Sequence, residues 1–88
     1  MKSITMFYMD TCPHCHNAFR MMDKLFEAHP EYRDIPIKMV EETKEAALAN
    51  TYDYWYVPTF YVGEEKLHEG VPTQAAIDAV FAKAYDTK

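Results

Sequence analysis

The chain has 88 residues, of which 49% are hydrophobic, 15% aromatic and 26% charged, with two glycines, five prolines and two cysteines. That length carries one compact domain over residues 1–88, and the composition excludes collagen-like, low-complexity and disordered classes. Nine basic against fourteen acidic residues leave a formal charge of −5 with no basic stripe, which excludes nucleic acid as an expected partner.

Residues 3–9 are short, apolar and partly β-branched or aromatic, which predicts a buried strand. Thr5 interrupts this apolar patch, Asp10 ends it and no small-residue cleavage site follows, so it does not read as a secretory signal and a cytoplasmic setting is expected. No apolar run approaches the roughly 18 residues of a bilayer span, so no membrane partner is expected. A helix follows: Ala18, Met21, Met22, Leu25 and Phe26 recur at the spacing of one helical face, and Asn17, Arg20, Asp23, Lys24 and Glu27 fill the opposite one. Pro30 ends it at or before His29. Residues 35–41 alternate Ile35, Ile37 and Met39 against Pro36, Lys38 and Val40, a second strand with proline near its start.

Thr43 is the expected N-cap of a short helix over residues 44–49 that fades near Tyr52. Residues 59–62 predict a strand, Gly63-Glu64-Glu65 a turn, and residues 66–69 its hairpin partner. Gly70-Val71-Pro72-Thr73 breaks the chain, and Ala76, Ile77, Val80, Phe81 and Ala84 line a closing helix to about Tyr85. The order β-α-β-α-β-β-α predicts an α/β domain: a four-stranded mixed sheet with helices on both faces. The first two strands run parallel through a right-handed crossover, and the last two form an antiparallel hairpin.

The cysteines stand three apart, as Cys12-Pro13-His14-Cys15, where the first strand gives way to the first helix. A disulfide between them closes too small a loop to stabilise the fold much, and a reducing compartment disfavours a structural staple. Chemistry is the better assignment. Pro13 suits the first helical position, which puts Cys12 at the N-cap. There its sulfur is expected to accept hydrogen bonds from the His14 and Cys15 amides and to feel the positive end of the helix dipole, which favours the thiolate. Cys15, one turn in, is expected to be buried with a high pKa. An exposed nucleophilic sulfur beside a buried resolving one is the division of labour of thiol–disulfide exchange, with His14 between them as a tuner of the potential.

A second stretch, Tyr54-Trp55-Tyr56-Val57-Pro58-Thr59-Phe60-Tyr61, sets a proline directly before a central strand, which is costly unless it is a fixed feature such as a cis bond. Trp55, Phe60 and Val62 are expected in the core, whereas Tyr56 and Val57 border whatever Pro58 faces.

These residues resemble the thioredoxin superfamily, and within it the small glutaredoxin-like branch, over essentially the whole chain. Cys12-Pro13-His14-Cys15 is similar to the family's active site, and Val57-Pro58-Thr59 to its cis-proline loop. The element order resembles the minimal fold, without the extra N-terminal strand and helix of full thioredoxins. The resemblance implies a dithiol–disulfide oxidoreductase in which Cys12 attacks, Cys15 resolves, Pro13 and His14 complete the motif, and Tyr56, Val57, Pro58 and Thr59 bind substrate. It implies protein or small-molecule disulfides as substrates, glutathione or a thioredoxin-reductase-type flavoenzyme as electron donor, and a monomer with no metal or organic cofactor.

The chain departs from the family at Met6, where thioredoxins carry a buried acid. It departs again at Glu69-Gly70-Val71-Pro72, where glutaredoxins carry a Gly-Gly pair that helps hold glutathione. Other readings use the same residues. Cys12, Cys15 and His16 match the Cys-x-x-Cys-His haem-attachment pattern, and the cysteines with two of His14, His16, His29 and His68 suggest a zinc site. A thioredoxin-fold interaction module without turnover is a third. His29 and His68 are otherwise expected as plain surface residues.

Overall fold

The computed structural model describes residues 1–87. Its elements in chain order are β1 (Ile4–Tyr8), α1 (Pro13–Ala28), a 3-10 turn (Pro30–Asp34), β2 (Ile37–Glu41), α2 (Ala46–Ala49), β3 (Thr59–Val62), β4 (Glu65–Glu69) and α3 (Gln74–Asp86). The sheet order is β2-β1-β3-β4, with β1 parallel to β2 and antiparallel to β3, and with β3 and β4 forming an antiparallel hairpin.

Strand parity divides the core in two. Ile4 and Met6 of β1 and Phe60 and Val62 of β3 point to one face, where they pack on Ala18, Met22 and Leu25 of α1 and on Ile77, Val80, Phe81 and Ala84 of α3. Phe7 and Tyr61 point to the other, against Val40 and Ala49. On this second face aromatic rings do most of the covering: Phe7 lies 4.7 Å from both Tyr52 and Tyr54 and meets Tyr61 edge-on at 5.9 Å. Thr73 caps α3, its hydroxyl accepting the Ala76 amide at 3.1 Å. Gly63 (φ +58) and Gly70 (φ +91) occupy the left-handed region at either end of β4, which a side chain at either position would strain.

Five local expectations are corrected. Strand β2 begins at Ile37 rather than Ile35: Ile35 closes the 3-10 turn, and Pro36 has no amide to give the sheet. Within β2 the buried apolar residue is Val40, followed by buried Glu41, while Met39 is 38% exposed, because an edge strand has a neighbour on one side only. The second helix is a single turn from Ala46, and Thr43 does not cap it. The Thr43 amide and hydroxyl both donate to Glu41 at 2.6 Å instead, which ties up the capping group one turn early. Trp55 is 85% exposed, not in the core, whereas Phe60 and Val62 are buried. His68 is half-buried rather than a plain surface residue, with its ring Nε2 3.1 Å from the Gly70 carbonyl oxygen.

Candidate active site

The C-terminal end of β1 leads into a turn in which the Cys12 amide donates to the Met9 carbonyl at 3.1 Å, and α1 starts from that turn with Pro13 in its first positions. Cys12 is the N-cap residue, partly exposed, with extended backbone (φ −90, ψ 116). Its side chain does not cap the helix, contrary to the sequence expectation. The amides of Cys15 and His16 donate to the Cys12 carbonyl instead, at 3.1 and 3.2 Å, so the first turn is satisfied by backbone. The sulfur is left to face across the site, where its thiol donates to the Val57 carbonyl at 3.9 Å.

Cys15 is fully buried, and both cysteines are free thiols. Burial pushes the Cys15 thiol up to about 12; the neighbouring Cys12 and the charge of Glu42 act in the same direction, and the Met9 backbone opposes them. The Glu42 carboxylate is in turn held by the Tyr54 hydroxyl, which donates at 2.7 Å. Met6, the residue at which the sequence departs from the family's buried acid, is fully buried among apolar residues.

The facing loop brings Tyr56, Val57 and Pro58 to the helix start. The Val57–Pro58 peptide is cis, Pro58 is fully buried, and its carbonyl accepts the Gly70 amide at 2.9 Å. His14, Tyr56, Val57, Gly70 and Val71 line a shallow cavity of about 350 Å³ beside Cys12. Thr59 is set behind this loop rather than in it: its side chain is fully buried and its hydroxyl donates to the Tyr56 carbonyl. Thr59 therefore supports the loop from β3, a correction to its expected contact with substrate.

Two carboxylates that sequence reasoning did not single out brace the site. Glu41, at the end of β2, accepts the Asp10 amide at 3.0 Å together with Thr43, and these bonds, led by the Thr43 hydroxyl, hold its carboxyl at about 2. Glu69, at the end of β4, accepts the Lys66 ammonium at 2.8 Å, the Tyr56 amide at 2.9 Å and the Trp55 amide, and with Lys66 as the leading cause its carboxyl also lies near 2. Both are acids at the last position of a strand, a signal too common to have marked them. His16 is likewise structural: its Nε2–H donates to the Asp10 carbonyl at 2.6 Å, while the Asp10 carboxylate pairs with Lys44 at 3.1 Å. Among the described residues no cluster of three or more His, Cys, Asp or Glu side chains stands at metal-binding distance, and no helix is long and apolar enough to cross a membrane.

The sequence profile of the Thioredoxin family matches residues 2–83. No curated protein matches closely enough to be named as a relative. Among solved structures, the chain is similar to a mutant thioredoxin from Halobacterium salinarum NRC-1 (TM-score 0.68, 21% identity, covering 98% of this chain and 76% of that one). It is also similar to an uncharacterized thioredoxin-like protein from Clostridium perfringens (TM-score 0.68, 24% identity, 96% and 71% covered) and to a malarial protein (TM-score 0.67, 20% identity, 92% and 93% covered).

Proposed function

The chain belongs to the thioredoxin family, and within it we propose that it works as a dithiol–disulfide oxidoreductase. The observation that carries this reading is the asymmetry of the two sulfurs. Cys12 is reachable at a helix start opposite the Val57 carbonyl, and Cys15 lies fully buried behind it. In the reductive direction the Cys12 thiolate attacks one sulfur of a substrate disulfide. That S–S bond breaks, one substrate sulfur leaves as a thiolate, and a Cys12–substrate mixed disulfide forms. Cys15 then gives up its proton, attacks the Cys12 sulfur and expels the second substrate thiolate. The substrate has gained two electrons, and the chain holds a Cys12–Cys15 disulfide.

The elevated Cys15 pKa suits a resolving thiol that stays protonated until substrate is attached. His14, exposed beside the cavity, is the candidate tuner of the potential, and Pro13 starts the helix that presents Cys12. The bend before Pro58 sets the Val57 carbonyl beside the Cys12 sulfur, where it can also meet an amide of an incoming chain. A small thiol of the glutathione class or a dithiol-reducing flavoenzyme would return the electrons, and a cytoplasmic setting fits the reductive direction. The exchange itself needs no metal or organic cofactor.

Trapping tests the reading. Cys15→Ser, incubated with a disulfide substrate, accumulates a mixed disulfide at Cys12 visible by mass spectrometry, whereas Cys12→Ser accumulates none. Equal trapping on the two variants refutes the assignment of roles.

A further inference from the structure

We propose that Glu69 is the positioning residue of the substrate loop: its carboxylate, fixed at the end of β4, holds the Trp55 and Tyr56 amides and so sets the Val57 carbonyl opposite Cys12 for polypeptide disulfides. The inference rests on the redox reading of Cys12 and deepens it by naming the class of substrate the loop serves.

Little else holds this loop in place on its outer side. Trp55 is 85% exposed and Tyr56 71% exposed, so neither ring is anchored by burial. On this outer side the anchoring is carried by polar bonds from β4, beside the β3 bonds that the Thr59 hydroxyl gives the Tyr56 carbonyl and the Tyr61 hydroxyl gives the Asp53 carbonyl at 2.6 Å. One Glu69 oxygen, Oε2, accepts both successive amides, and the other, Oε1, accepts the Lys66 ammonium at 2.8 Å. Lys66 also donates to the Asp53 carbonyl at 3.2 Å, and the Gly70 amide reaches the Pro58 carbonyl at 2.9 Å. Three contributions from β4 and the residue after it, Lys66, Glu69 and Gly70, therefore span the loop from Asp53 to Pro58. A carboxylate accepting two amides and an ammonium is the strong, charge-assisted form of such a bond, and its position near 2 keeps it ionised throughout the working range.

The loop so held turns the Trp55 and Tyr56 rings outward next to the cavity that Tyr56 shares with His14, Val57 and Val71. The cavity beside Cys12 is thus lined mainly by apolar groups, and the Val57 carbonyl at its edge faces the Cys12 sulfur, where an incoming backbone amide would replace the thiol as its donor. A polypeptide flanking a disulfide supplies an amide and side chains together; an amide-free small disulfide such as hydroxyethyl disulfide supplies neither and meets only the sulfur. Glu69 should accordingly matter to the first and not to the second.

The experiment compares the full chain with Glu69→Gln and with Lys66→Met, which leaves the carboxylate in place but frees its second oxygen. In Glu69→Gln the KM for a reduced-in-excess-thiol assay on a polypeptide disulfide rises roughly tenfold with kcat within about twofold, the size of one lost charge-assisted bond. Turnover of hydroxyethyl disulfide and alkylation of Cys12 stay within about twofold, and Lys66→Met gives a smaller shift in the same direction. Hydrogen exchange at the Trp55 and Tyr56 amides accelerates in both variants while exchange in β1 and β3 does not. An unchanged KM, an equal loss on both disulfides, or unchanged exchange at the two amides overturns the proposal. If the unmodified chain turns over neither disulfide, it is the redox reading that fails, and the exchange rates still decide whether Glu69 holds the loop.

Discussion

Cys15 offers the sharpest measurement of the proposed chemistry, because its environment sets a rate that can be worked out beforehand. Burial raises its pKa from an ordinary 9.0 to about 12. At neutral pH each unit lowers the thiolate population tenfold, about 10³-fold in all. A more basic thiolate is intrinsically more nucleophilic, and with a Brønsted slope of about 0.4–0.5 that returns a factor of roughly 15–30. The net expectation is alkylation about 30–60-fold slower than that of a free cysteine, before the complete burial of the sulfur is counted. The assay is iodoacetamide labelling of Cys12→Ser across pH 6–11. There the serine hydroxyl keeps a hydrogen-bonding partner beside Cys15, and no second thiol complicates the kinetics. Cys15 should label slowly until the pH approaches its pKa, whereas Cys12 in Cys15→Ser should label far faster at neutral pH. A Cys15 rate within about tenfold of free cysteine at pH 7, or parallel profiles for the two sulfurs, would refute the division of labour.

Two further outcomes follow from the residues around the pair. His14→Ala should lower the reduction potential, measured as the equilibrium with reduced and oxidised glutathione, by on the order of 30 mV for each tenfold change in the exchange equilibrium constant; an unchanged equilibrium removes His14 from the mechanism. Acid should unfold the chain over the window set by its depressed carboxyls. Glu41 and Glu69 lie near 2 when folded against an ordinary 4.5, so the stability they contribute is fully present above about pH 4.5 and is lost as pH falls toward 2. Melting temperatures at pH 5, 3.5 and 2 should fall across that window and fall less in Glu41→Gln; no fall between pH 5 and 2, or an equal fall in Glu41→Gln, contradicts the assignment.

What could be read from the sequence was what repeats locally. The period of Ala18, Met22 and Leu25 located α1, the stripe of Ile77, Val80, Phe81 and Ala84 located α3, and the apolar run through Ile4 and Met6 located β1, because helix and strand periods are written in neighbouring residues. The Cys12–Cys15 spacing and Pro58 marked the two halves of the site for the same reason. What could not be read depends on partners distant in the chain. The Asp10 amide finds Glu41 across 31 residues, and the Trp55 amide finds Glu69 across 14. Thr43 could not be assigned as a cap or otherwise without knowing that Glu41 competes for its hydroxyl. Trp55 was misplaced because hydrophobicity predicts burial only when the backbone turns the side chain inward, and here both neighbouring amides are turned toward Glu69.

The two carboxylates explain how so short a chain holds a site open to solvent. A domain of 88 residues has one modest core, divided by its sheet; its second half holds Tyr54 and Val57 of the loop before Pro58 but leaves Trp55 and Tyr56 between them exposed. Exposed rings and a partly exposed thiol cannot be fixed there by packing without being buried, which would close the site. Charge-assisted bonds to backbone amides fix the chain while leaving its side chains free. Glu41 does so for the strand-to-helix turn through the Asp10 amide, and Glu69 does so for the facing loop through Trp55 and Tyr56. Both acids lie at the ends of strands that hydrogen-bond to the sheet, so the position of Cys12 relative to Val57 is set by the register of β2 with β1 and of β4 with β3 rather than by the side chains at the surface. Those surface side chains, Trp55, Tyr56 and Val71, are consequently the ones free to differ without cost to the geometry that the sulfur requires.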